Sequence, residues 1–165
     1  MSADKSKLHV LVLPEDRANH EIANGFRGHE LNNDRSQRQI QVESVARGWL
    51  RTCETYKEDY EPQLRTIGTR HVILLIDLDR EQTRIAKVQE YIHDDLKSRV
   101  FVLGVWSEPE ELKADQRLDF ESIGRKLRED CPRQPGGIWG HGLLRHNSHE
   151  VERMWSTIGQ ILSGN

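Results

Sequence analysis

His71-Val-Ile-Leu-Leu-Ile-Asp77-Leu78-Asp79 is the stretch whose reading decides the fold. Residues His71 to Ile76 are almost continuously apolar, rich in branched side chains and short, which suits a strand buried on both faces of a parallel sheet. Two other runs have the same character, Leu8 to Leu13 (Leu-His-Val-Leu-Val-Leu) and Val100 to Val105 (Val-Phe-Val-Leu-Gly-Val). A weaker run, Gln39 to Val45, places Ile40, Val42 and Val45 as a more exposed strand. Helical patterns fall between the runs. Asp16 to Leu31 opens with acids that suit the positive end of a helix dipole. Ala46 to Leu64 offers Trp49, Leu50, Tyr56 and Tyr60 to a buried side. Glu81 to Ile92 spaces Ile85, Val88 and Ile92 as one apolar stripe, and Phe120, Ile123 and Leu127 repeat that spacing. Val151 to Leu162 closes the chain with Met154, Trp155, Ile158 and Leu162. Alternation of strands and helices implies right-handed crossovers. The expectation is an α/β fold of Rossmann-like character, with a mainly parallel four-stranded sheet flanked by helices, in a single domain spanning 1–165.

The bulk composition narrows the function classes. A chain of 165 residues fits one domain, and its 35% hydrophobic content is concentrated in the runs above despite 31% charged residues and a mean hydropathy of −0.76. A net charge of −3 and a pI near 6.2 lack the basic footprint of unassisted, tight nucleic-acid binding. A metal ion and a local basic patch can still supply that attraction. The two cysteines, Cys53 and Cys131, are far apart and call for no oxidising compartment. The first apolar run is too short for a signal or a membrane span, so the expectation is a cytoplasmic protein without a membrane partner.

Acidic residues follow the strands. The first run ends in Leu13-Pro14-Glu15-Asp16, the third in Ile76-Asp77-Leu78-Asp79, and the fourth in Trp106-Ser107-Glu108-Pro109-Glu110-Glu111. Ligands of open α/β sheets bind outside the carboxyl ends of the strands, so these acids should share one edge. In an extended segment Asp77 and Asp79 would face the same way. Crowded carboxylates raise one another's pKa, and a hard divalent cation relieves the repulsion. Mg²⁺ takes a few carboxylates and leaves positions for water and phosphate oxygens. Any one of these acids could instead cap the following helix, Glu15-Asp16 and Asp79 above all. Three clusters on one edge favour the metal.

At these residues the chain resembles the Toprim-type domains of topoisomerases, primases and overcoming-lysogenization-defect nucleases. It is most similar to small standalone Toprim-like proteins of prokaryotic defence and mobile loci. The matching segments are Glu15-Asp16, Arg47-Gly48-Trp49, Asp77-Leu78-Asp79 and Ser107 to Leu112, in order over about two thirds of the chain. Asp16 and Arg17 stand where topoisomerase-type members carry glycine, and the family tryptophan after the last acidic pair is replaced by Glu111-Leu112-Lys113. The resemblance implies a metal-dependent nuclease or phosphoesterase acting on nucleic acid with Mg²⁺, or Mn²⁺. Glu15 would act as general acid/base or metal ligand, Asp77 and Asp79 would hold the metal, and Glu108 or Glu110 would complete its shell. Glu15, Asp77 and Asp79 are thus the expected catalytic residues. The alternative is a catalytically divergent interaction subunit of a larger defence complex, with a protein partner or a homo-oligomeric state.

Among basic residues, Arg80 beside Asp79 is the expected phosphate contact, while Arg84, Lys87, Arg125, Lys126 and Arg128 read as solvated helix faces. Cys131, His141, His146 and His149 approach a zinc-ligand spacing but lack paired cysteines, and Trp139 to Asn147 reads as a surface loop. The segment Pro135 to Trp139 is a candidate interaction surface. Response-regulator receivers also place an aspartate and a hydroxyl where Asp77 and Ser107 stand, but no fifth strand ending in lysine follows.

Overall fold

The computed structural model describes residues 7–28, 39–133 and 136–163. Strands β1 (His9–Pro14), β2 (Ile40–Val42), β3 (Arg70–Leu75) and β4 (Val100–Leu103) form one sheet in the order β2-β1-β3-β4. Every pairing is parallel, with Val10 opposite Ile40 and His71, and Val72 opposite Val100. The α/β expectation holds, as one compact domain with helices on both faces of the sheet.

Alternation along the strands divides the core in two. Val10, Val12, Ile73, Phe101 and Leu103 face one layer. It is built by α1 (Arg17–Arg27), α6 (Phe120–Glu129) and α7 (Ser148–Leu162). Leu11, Leu13, Val72, Leu74, Val100 and Val102 face the other. That layer holds α2 (Trp49–Thr55), a π-helical turn (Tyr56–Tyr60), α3 (Glu61–Thr66) and α4 (Arg84–Gln89). A further helix, α5 (Pro109–Gln116), follows β4.

Helices α1 and α6 touch backbone to backbone. A Cβ on Gly25 would lie 1.9 Å from the Glu121 carbonyl oxygen, and one on Gly124 would lie 1.9 Å from that of Ile22. Only hydrogen fits at either position. Arg128 then ties the layer together, donating to the carbonyls of Phe26 and Arg27 at the end of α1 and of Ile161 and Leu162 at the end of α7. Expected as a solvated residue, Arg128 serves instead as a cap for two helix C-termini, where a cation also suits the dipoles.

Several local expectations change. The helix expected over Asp16 to Leu31 runs from Arg17 to Arg27 with Asp16 as its cap, and residues 29–31 lie outside the described residues. The segment Trp139 to Asn147 is no surface loop. Ile138, Trp139, Leu143, Leu144 and Asn147 are buried, with the Trp139 indole N–H donating to the Leu127 carbonyl at 2.8 Å. Ile138 and Trp139 are therefore core, not an exposed interaction surface, and Pro135 lies outside the described residues. Leu50 points outward at 44% exposure, while Tyr56 is fully buried.

Candidate functional site

After β1 the chain turns to β2 on one side, and after β3 it passes to β4 on the other. Such a reversal opens a crevice at the carboxyl ends of the two central strands. Glu15 and Asp77 sit there. The Glu15 N–H donates to the Leu75 carbonyl at 3.0 Å, which extends the β1–β3 pairing one step past the strands. Across the same gap the Asp77 N–H donates to Glu15 Oε2 at 2.7 Å. The Glu15 carbonyl also receives the N–H groups of Arg47, at 2.8 Å, and Gly48, at 3.2 Å, so the start of α2 is anchored at the same point.

Asn19 joins the acids from α1. Asp16 caps that helix by accepting the Asn19 N–H at 2.9 Å. The Asn19 amide nitrogen donates to Asp16 Oδ1 at 3.0 Å and to Asp77 Oδ1 at 2.9 Å. Glu15 and Asp77 are nearly buried, at 8% and 6% exposure. Burial pushes the Glu15 carboxyl up to about 7; the bond from the Asp77 N–H opposes this, and the charges of Asp16 and Asp79 add to it. Asp77 is raised further, again by burial first, against the Asn19 hydrogen bond and with the help of Asp16 and Glu15. Both carboxyls are thus held above the ordinary range, Glu15 near neutrality, a condition suited to proton transfer.

Asp79 behaves differently from its neighbour two residues earlier. The chain leaves the extended conformation there, with φ of 48° at Asp79 and 61° at Arg80. Asp79 therefore does not simply repeat the orientation of Asp77. Its side chain is 55% exposed and pairs with Arg84 Nη1 through Oδ2 at 3.3 Å. Arg84 was expected on a solvated face, yet it is 5% exposed. Its guanidinium also donates to the Asp77 carbonyl at 3.1 Å and to Glu81 Oε2 at 3.2 Å, and stacks 4.6 Å from the Trp49 ring centre. The stripe expected through Ile85, Val88 and Ile92 is occupied instead by Arg84, Val88 and Ile92, with Ile85 half-buried.

The remaining expected residues stand at the rim. Glu108 precedes α5 in extended conformation, Glu110 lies in its first turn, and both are exposed. The charges acting most on Glu15 are those of Asp16, Asp79 and Arg84, and those on Asp77 are Asp16 and Glu15, not these two rim glutamates. Arg80 donates to both Glu111 carboxylate oxygens, at 2.9 and 3.0 Å. His141 pairs with Asp115 and accepts the Leu143 N–H, while His146 packs against Trp106. Asn19 was missed by sequence reasoning; its only local sign is the Asp16-x-x-Asn19 spacing of a helix cap.

Among the described residues no three His, Cys, Asp or Glu side chains form a ready-made metal cage. Mg²⁺ does not require one, since it commonly uses one or two carboxylates and keeps its water. The donor chemistry fits such a cation. Glu15, Asp77 and Asp79, with Asp16 beside them, offer hard carboxylate oxygens, and their mutual repulsion is answered locally by an amide, a backbone N–H and one arginine. Compared with protein-family models, curated proteins and solved structures, the chain matches none.

Proposed function

We propose that this protein is a metal-dependent nuclease or phosphoesterase acting on nucleic-acid phosphodiesters, in prokaryotic defence or DNA metabolism, as its Toprim-like motifs imply. The observation that carries this reading is the Glu15–Asp77 pair, buried and hydrogen-bonded across the carboxyl ends of the two central strands. Glu15, Asp77 and Asp79 would hold Mg²⁺ or Mn²⁺, and Glu108 or Glu110 would complete the shell. Such an ion, when bound, polarises a phosphoryl group and stabilises the leaving oxygen. Glu15, poised near neutrality, takes or returns a proton at its carboxyl. Asn19 fixes the Asp77 carboxyl against Asp16, which limits its motion.

Calorimetric titration with MgCl₂ and MnCl₂ tests the reading, wild type beside a chain carrying Asp77→Ala and Asp79→Ala. Millimolar or tighter binding that the double variant loses is the expected result, followed by cleavage of DNA or RNA by the wild type alone. Absence of binding to the wild type would sink it for this chain.

A second reading, a catalytically divergent interaction subunit, draws on Arg84 and Arg80. Both cations nearest Asp79 are already engaged by carboxylates of the chain itself. Cleavage by the purified chain separates the two, because an interaction subunit does not cleave alone.

A further inference from the structure

We propose that Arg84 is a resident counter-ion of the acidic site, competing with a divalent cation for Asp79 and so setting the affinity for metal. The inference rests on the metal-binding reading above. Among the described residues Arg84 is the only lysine or arginine that is buried. Its side chain is 6% exposed, whereas the two carboxylates it holds, Asp79 and Glu81, are 55% and 51% exposed. Those anions have water as an alternative partner; the guanidinium does not.

Burying a cation is costly unless its donors are satisfied. Arg84 is incompletely satisfied, since its Nε is buried without a hydrogen-bond partner. Stacking on Trp49 and the bond to the Asp77 carbonyl hold the guanidinium at the crevice despite that cost. An arginine used only to pack the helix α4 against α2 has no need of this location beside Glu15, Asp77 and Asp79. Its positive charge is paired with Asp79 and Glu81 when no metal is present. The same charge repels an incoming divalent cation and occupies the Asp79 oxygen that the cation would use. Arg84 is thus a positioning and affinity-setting residue, acting through Asp79 rather than on substrate.

Metal affinity of the full chain tests this without reference to turnover. Free Mn²⁺ is counted by electron paramagnetic resonance during titration of wild type, Arg84→Gln, Arg84→Met and Arg84→Lys. The neutral variants are expected to bind Mn²⁺ about tenfold more tightly than wild type. Arg84→Lys, which keeps the charge but loses the planar fork and the stacking on Trp49, should fall between wild type and the neutral variants; binding as tight as the neutral variants would deny the charge its part. Thermal melts followed by circular dichroism establish that each variant is folded. Asp79→Asn supplies a check at the other partner: with the contested carboxylate gone, adding Arg84→Gln no longer tightens binding by tenfold. Wild-type binding with equal or weaker binding in both neutral variants overturns the role of Arg84 and leaves the metal site standing. No Mn²⁺ binding by any of the chains overturns both.

Discussion

Asp77 carries most of the electrostatic tension at the scale of single residues. Its carboxyl is buried, faces Asp16 and Glu15, and is steadied chiefly by Asn19. The folded chain therefore holds protons on Asp77 and Glu15 that the unfolded chain has released. Their contribution to stability is complete below the ordinary carboxylate range and is lost as pH rises through about 7 and above. Asp77→Asn, which removes one ionisable group and keeps the shape, should raise the melting temperature of the metal-free protein by roughly 5 °C at about pH 8. Below the ordinary carboxylate range, at about pH 3.5, the gain should vanish, and melting curves at the two pH values check this. Sequence reading found Glu15 and Asp77 because they directly follow apolar runs. It missed Asn19 because the partner that matters lies 58 residues away. It misplaced Arg84 because hydrophobic periodicity gives the buried position to Ile85; stacking on Trp49 and the Asp77 carbonyl reversed that order.

Helix and strand packing obeys tighter constraints than periodicity conveys. Gly25 and Gly124 let α1 and α6 approach until backbone meets backbone. Gly124→Ala gains helix propensity, worth about 1 kcal/mol, but forces the helices apart. A net loss of about 2 kcal/mol or more is expected in urea unfolding. In the same layer β4 is an edge strand, and α7 and the turn before it protect its backbone. Asn147 donates to the Gly104 carbonyl at 2.9 Å and accepts the Gly104 N–H at 3.2 Å, while Glu150 accepts the Val102 N–H at 2.9 Å. Asn147→Ala removes its two bonds to Gly104 in a buried position and should cost about 2 to 3 kcal/mol, measurable by the same unfolding experiment. The strands were legible because a short run that is apolar at every position buries both of its faces, as a strand between two helical layers does. Helix α5 was hidden inside an acidic run, with Leu112 its only fully buried aliphatic side chain.

For the whole molecule, the acid pair is one of two opposing titrations. His9, His71 and His146 have pKa values lowered by burial, so each is held neutral in the folded chain and charges more readily on unfolding. Their contribution is present above the ordinary histidine value and is lost as pH falls below it. Between about pH 5 and 6.5 the histidine and carboxyl contributions oppose each other, and the stability of the metal-free protein should change little there. From about pH 7 to 8.5 only the carboxyls titrate, and stability should fall. Denaturant unfolding across that range reads the slope, and a steady rise in stability from pH 7 upward would contradict the burial of the acid pair.

The amino-acid sequence by itself determined the parallel α/β class, the strong strands and the acids that follow them. Apolar runs and strand-end positions are local properties, legible within a few residues. Only tertiary structure decided that Glu15 and Asp77 bond across the central strands, that Asn19 bridges Asp16 to Asp77, and that Arg84 is buried beside them. It also brought Ile138, Trp139 and Asn147 into the core. Each of these depends on which distant segments a crossover sets side by side, and on the charge left unbalanced when water is excluded between them.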